Sequence, residues 1–184
     1  GVVLASERPI SLLARRPPAP PDLVVRRQAV AADLSGWSWF RDWERDDGTV
    51  AFRAAHGPEG SDLIDFGVAR FEIDGGGTEV RVWSADEADD RLVDVLLVDQ
   101  VIPRVLARRH ELVFHGSAVE VGGGAIAFLG PSGRGKSTLA AHLGARGHPV
   151  LSDDCLRFEP VDGVDGARLI VHPAYPAVRL WADS

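Results

Sequence analysis

Nine consecutive residues, Gly130-Pro131-Ser132-Gly133-Arg134-Gly135-Lys136-Ser137-Thr138, constrain this chain more than any other stretch. They satisfy the pattern G-x-x-x-x-G-K-[ST] in full. The run before them, Ala125-Ile126-Ala127-Phe128-Leu129, is unbroken and apolar, the kind that forms a strand buried on both faces. After them, Lys136–Arg146 reads as a helix with Leu139, Ala140 and Leu143 inward, closed by Gly147. Pro149-Val150-Leu151-Ser152 then reads as a strand that stops at Asp153-Asp154. Strand, glycine-rich loop, helix and strand in this order predict the start of an α/β sheet with its ligand at the carboxyl ends of the strands.

The chemistry of the loop follows from its residue types. Glycines permit backbone conformations that turn successive N–H groups inward, a nest for phosphate oxygens. The helix beginning near Lys136 adds its positive dipole end. Lys136 is expected to reach the β- and γ-phosphates, and the Ser137 hydroxyl to ligate Mg²⁺. Gly130 to Thr138 therefore predict a site for a purine nucleoside triphosphate with a divalent metal. The 20 basic residues include a single lysine, Lys136. A chain that otherwise uses arginine keeps a compact ammonium where the broad guanidinium fork does not fit.

Two further elements come with the loop. Asp153 and Asp154 end the strand that follows the helix, so they lie beside the phosphates, placed to hold Mg²⁺ or to accept a proton from an attacking hydroxyl. A plain turn pair is the competing reading, since Asp is common after strands. His115 directly follows the short apolar strand Leu112-Val113-Phe114, with Gly116-Ser117 behind it. A lone histidine is more often structural, and both readings stay open from the residues alone.

Elsewhere the chain carries no catalytic constellation. Residues 1–28 read as a flexible lead, because Arg15-Arg16-Pro17-Pro18-Ala19-Pro20-Pro21 suits neither a helix nor a central strand. Residues 29–110 read as a strand-rich region ending in a helix. Thr49–Arg53 and Leu63–Val68 are apolar-rich, and Phe71–Ile73 with Thr78–Trp83 predict a hairpin across Asp74-Gly75-Gly76-Gly77. Trp37, Trp39 and Trp43 suit packing better than a ligand platform. Ala85–Arg109 reads as one helix, acidic at its start (Asp86, Glu87, Asp89, Asp90) and basic at its end, which suits the helix dipole, with a kink or restart at Pro103. The acidic cluster is a solvated helix start rather than a metal site. Residues 111–184 form the loop-bearing domain.

The formal charge of −7 argues against nucleic acid or an anionic membrane as partner. No apolar run approaches the roughly 18–20 residues that span a bilayer. The single cysteine, Cys155, excludes an internal disulfide and fits a cytoplasmic setting. The chain has no methionine and ends on Asp183-Ser184, which is helix-cap chemistry, so the loop-bearing domain is expected to be incomplete at its carboxyl end.

From Leu112 to Trp181 the chain resembles the catalytic domain of HPr kinase/phosphorylase, whose phosphate-binding core is related to that of phosphoenolpyruvate carboxykinase. The resemblance is carried by Phe114-His115-Gly116-Ser117-Ala118-Val119, by Ala127 through Thr138, and by Arg146-Gly147-His148-Pro149-Val150-Leu151-Ser152-Asp153-Asp154. The chain also resembles the HPr-kinase-like proteins found beside peptide-modification genes, lasso-peptide kinases among them. Those also carry a strand-rich front half, a helix like Leu97–Leu106 with its internal proline, and a stretch like Pro173–Trp181. The resemblance implies an ATP-dependent serine kinase of an α/β, P-loop fold, with Asp153 and Asp154 dividing the tasks of general base and metal ligand. It implies His115 near the transferred phosphoryl group. The acceptor would be a serine on a protein or peptide. Thr138 stands where the HPr enzymes often carry an acidic residue, and residues 1–110 do not suggest their amino-terminal domain. A non-catalytic ATP-binding module and a small-molecule kinase are the competing readings, and self-association is compatible with each.

Overall fold

The computed structural model describes residues 3–10, 13, 20–30, 33–85, 87–163 and 166–173. The chain is mixed α/β, with one large mixed sheet and few helices. Its residues divide into two compact units, one through Arg109 and one from His110. Most of the proline cluster, Asp86, the run beyond Pro173 and the closing Asp183-Ser184 lie outside the described residues.

The first unit is built on seven strands: β1 (Leu4–Ser6), β2 (Leu23–Arg27), β3 (Ser38–Glu44), β4 (Val50–His56), β5 (Asp62–Asp65), β6 (Ala69–Ile73) and β7 (Glu79–Ser84). Their order in the sheet is β1-β2-β7-β6-β5-β4-β3. β3 to β7 form an antiparallel meander, while β2 joins β7, and β1 joins β2, in parallel. The hairpin of β6 and β7 turns on Asp74, whose carboxylate accepts the Thr78 and Glu79 amides at 2.6 and 2.8 Å. Leu23, Leu63, Phe71, Ile73 and Val80 are fully buried or nearly so.

Strands β1 and β2 correct the expectation of a flexible lead over residues 1–28. Leu23 and Val25 are buried on alternate positions of β2, and Arg8 pairs with the buried Asp94 at 2.7 Å. The prolines announce a break in local structure, but the strand beyond them is held by long-range pairing that they do not advertise.

The helix expected over Ala85–Arg109 is three segments. α1 (Asp90–Leu96) starts behind Asp89, whose side chain caps the Arg91 amide at 2.9 Å. A π-helical turn follows over Leu97–Val101, and α2 spans Ile102–Arg108. Pro103 explains the turn: it has no N–H to offer, and its ring collides with the carbonyl four residues back, so the chain widens just before it. Arg108 and Arg109 then anchor α2 on the sheet, through Asp62 and the Gly60, Gly75 and Gly77 carbonyls. The tryptophans pack locally: Trp43 stacks on Phe52 at 4.4 Å, and the Arg53 guanidinium lies 4.2 Å over Trp39.

The second unit holds two three-stranded sheets and α3 (Lys136–Ala145). One sheet runs β10 (Gly124–Leu129), β9 (Gly116–Val121), β11 (Val150–Ser152); the other runs β13 (Gly166–His172), β12 (Leu156–Gly163), β8 (Leu112–Phe114). β9 and β10 join through Gly122-Gly123, both at positive φ (60° and 79°), as a two-residue turn of the primed type requires. α3 ends in a Schellman arrangement: Gly147 at φ 93° donates to Gly144, and His148 donates to Leu143.

Two expectations are corrected in this unit. β10 is not buried on both faces: among the described residues it pairs with β9 alone, and Ala125, Ile126 and Leu129 are exposed. An apolar run reports affinity for a core, not how many neighbours a strand will have. On α3, Ala140 is buried but Leu139 is exposed. The β12–β13 hairpin was not expected, although the alternation of buried Leu156 and Phe158 with Arg157 and Glu159 is the signal for it.

Candidate functional site

β10 and β11 both run antiparallel to β9, so they run parallel to each other with β9 between them. Register aligns Leu129 with Gly116 and Ser152 with Ala118. The carboxyl ends of β10 and β11 and the amino end of β9 therefore share one edge of the sheet. At that edge β10 leads into the loop 130–135, β11 leads into Asp153-Asp154, and His115 immediately precedes β9.

The loop owes its path to three glycines with positive φ: Gly130 at 152°, Gly133 at 74° and Gly135 at 78°. No neighbouring atom crowds them, so it is backbone conformation and not space that excludes a side chain there. Gly135 is also the N-cap of α3 and provides no side-chain acceptor. The first amides of the helix thus keep the unsatisfied, positively polarised character that favours an anion. Lys136 is buried, and its ammonium donates to the Pro131 carbonyl at 2.9 Å, which holds the chain's one lysine inside the loop's own span. Ser132, Arg134 and Thr138 are exposed around it.

Asp153 is the hub of the site. Its carboxylate is 2% exposed, and one oxygen, Oδ1, accepts two hydroxyl hydrogen bonds: from Ser117 at 2.5 Å and from Ser137 at 2.9 Å. The turn that carries it is tied down on both sides. The buried Ser152 hydroxyl donates to the Cys155 carbonyl at 2.5 Å, and the Cys155 amide donates to the Asp153 carbonyl at 2.9 Å.

Asp154 takes the left-handed conformation, φ 67°, which Asp tolerates better than most residues. Burial pushes its carboxyl above the ordinary range, and the neighbouring Asp153 charge adds to this. The charges of His115 and Lys136 act in the opposite sense, which brings all four groups into one electrostatic cluster. His115 Nδ1 lies 2.9 Å from the Asp154 carbonyl oxygen. A carbonyl only accepts, so Nδ1 carries the proton, and in the neutral ring Nε2 is left as an acceptor. The thiol beside them is inert by comparison: burial, and then Asp154, push Cys155 up to about 11.

Sequence reasoning brought Lys136, Ser137, Asp153, Asp154 and His115 forward, and these residues do meet at one sheet edge. It assigned no role to Ser117 or Gly116. Ser117 has no exposure and contacts the hub directly. At Gly116 a Cβ would stand 2.6 Å from the Phe128 carbonyl oxygen and 2.7 Å from a Leu129 methyl, so only glycine lets β9 approach β10 there. The signal for both was the run His115-Gly116-Ser117, in which the small residues read only as room for the histidine.

Scanned against protein-family models, curated proteins and solved structures, the chain matches none of them. Among the described residues no group of three or more His, Cys, Asp or Glu is arranged to hold a metal ion. No helix among them is long and apolar enough to cross a membrane. The oxygen donors at Ser137 and Asp153 suit a hard cation of the Mg²⁺ type. Such an ion keeps several waters and is usually held by one or two protein groups together with substrate phosphates.

Proposed function

We propose that this chain is an ATP-dependent serine kinase of the HPr-kinase-like group, working on a serine of a protein or peptide in the cytoplasm. The observation that carries the reading is the junction of Ser137 with Asp153 at 2.9 Å, directly behind a glycine loop that encloses the buried Lys136. A hydroxyl at the head of a helix, bonded to a buried carboxylate at the end of the next strand, is the pairing expected of a triphosphate–metal site.

Each residue has a task in this reading. The amides of Gly130 to Thr138 hold phosphate oxygens through the backbone. Lys136 exchanges its Pro131 carbonyl for the oxygens of the β- and γ-phosphates. Ser137 and Asp153 would hold the divalent metal that accompanies the triphosphate. Bound Mg-ATP supplies the transferable γ-phosphoryl group and the positive charge that screens its oxygens. Asp154, whose carboxyl burial raises above the ordinary range, accepts the proton of the acceptor serine as general base. His115, with its Nδ1 proton held by the Asp154 carbonyl, keeps Nε2 as an acceptor for the reacting groups. Catalysis is then chiefly positioning and charge stabilisation.

Calorimetric titration of the chain and of Lys136→Ala with Mg-ATP tests the site. The mutant is expected to keep its fold by circular dichroism and to lose triphosphate binding; unchanged affinity would sink the assignment. With serine peptides as acceptors, Asp154→Asn is expected to bind Mg-ATP within roughly tenfold of wild type and to transfer phosphate about 10²-fold more slowly or worse. A wild-type protein that binds Mg-ATP and transfers to no peptide or small hydroxyl compound would make the chain a binding module.

A further inference from the structure

One feature of the hub is asymmetric. Asp153 Oδ1 accepts from two hydroxyls, and a carboxylate oxygen has two lone-pair directions. The two donors differ in their surroundings. Ser137 is partly exposed and heads α3 at the loop, where its hydroxyl can turn a lone pair towards a cation. Ser117 has no exposure, lies on the central strand β9, and makes the shorter bond at 2.5 Å. Its backbone is held on both sides, by β10 through the Phe128–Ser117 register and by β11 through the adjacent Ala118.

We infer that Ser117 is the positioning residue for metal binding: its hydroxyl fixes the rotation of the Asp153 carboxylate, so that Asp153 meets the cation without reorganising when Ser137 turns to it. The inference rests on the reading of the loop as a Mg-ATP site. A hydrogen bond to a charged acceptor is strong and directional enough to hold that acceptor in one orientation. Outer partners of metal ligands tune affinity in this way, and losing one typically costs 10–100-fold. Gly116, next to Ser117, lets β9 lie close against β10, which holds the strand that carries the hydroxyl.

The test measures ATP binding to the intact chain by calorimetry, once in chelator and once over a series of Mg²⁺ concentrations. Ser117→Ala is expected to bind metal-free ATP within about threefold of wild type, because phosphate contacts are made by the loop. Its half-saturating Mg²⁺ concentration is expected to rise about tenfold or more. Ser117→Cys, a near-isosteric variant with a weaker donor, is expected to fall between the two and decides the matter if the alanine protein does not fold. Half-saturation by Mg²⁺ unchanged from wild type in the folded variant would overturn the inference. A loss that falls equally on metal-free and metal-bound ATP would overturn it too, since that is the mark of a merely structural hydroxyl. Wild-type protein that fails to bind ATP under either condition would overturn the proposed function instead.

Discussion

Asp154 is a residue whose charge works against the fold that carries it. Burial and the Asp153 carboxylate raise its pKa in the folded chain above the unfolded value. An acid raised in this way contributes its full stability below the unfolded pKa and loses it as pH climbs through the folded pKa. Asp154→Asn removes the penalty and keeps a residue that tolerates φ 67°. In chelator and without nucleotide, the mutant is expected to melt above wild type at neutral pH and level with it at acidic pH. Melting curves across that range check this, and a mutant less stable than wild type at neutral pH would contradict it. The chemistry of this residue was legible in its position after a strand; the shift was not, because burial is a tertiary property.

At the scale of elements, two glycines are required for different physical reasons, and substitution separates them. Gly135 needs its left-handed backbone, φ 78°, at the head of α3, and nothing crowds it. Gly116 needs space, because the Phe128 carbonyl and the Leu129 side chain stand where a Cβ would be. Gly135→Ala is expected to cost about 1–2 kcal/mol from the left-handed conformation. Gly116→Ala is expected to cost about 1–3 kcal/mol by overpacking, and to disturb His115 beside it. Asn tolerates the left-handed region, so Gly135→Asn should recover most of the loss while Gly116→Asn should not. Denaturant unfolding of the four variants reads the difference; recovery at position 116 would refute the steric account. The conformational requirement at Gly135 was legible because the loop motif itself demands it. The steric one at Gly116 needs Phe128 and Leu129 brought alongside, and the hairpin turn at Gly122-Gly123 does that.

For the whole molecule, burial assigns the most persistent structure to the seven-stranded sheet, and the proposed function puts the ligand response in the other unit. Leu23, Leu63, Phe71 and Val80 have no exposure, whereas the loop 130–135 is exposed throughout. Hydrogen exchange of the intact chain is therefore expected to be slow across β2 as well as β5 to β7, although β2 follows a proline-rich stretch. Mg-ATP is expected to slow exchange at 130–139 and 152–155 and to leave β5 to β7 unchanged. Fast exchange at Leu23–Arg27 would refute the parallel pairing of β2 with β7, and unchanged exchange at the loop would count against nucleotide binding.

The amino-acid sequence by itself determined the local parts: the loop that only glycine can follow, the helix that starts at Lys136 and stops at Gly147, and the carboxylates that end a strand. These depend on backbone conformations and spacings within a few residues, so they are written where they act. Tertiary structure alone decided that β9 runs antiparallel between β10 and β11, that β10 stands at the sheet's edge among the described residues, and that Ser117 reaches Asp153 across 36 positions of chain. Strand pairing is a choice among distant partners of similar apolar character. No single strand's residues specify its neighbours; the packed assembly of all of them does.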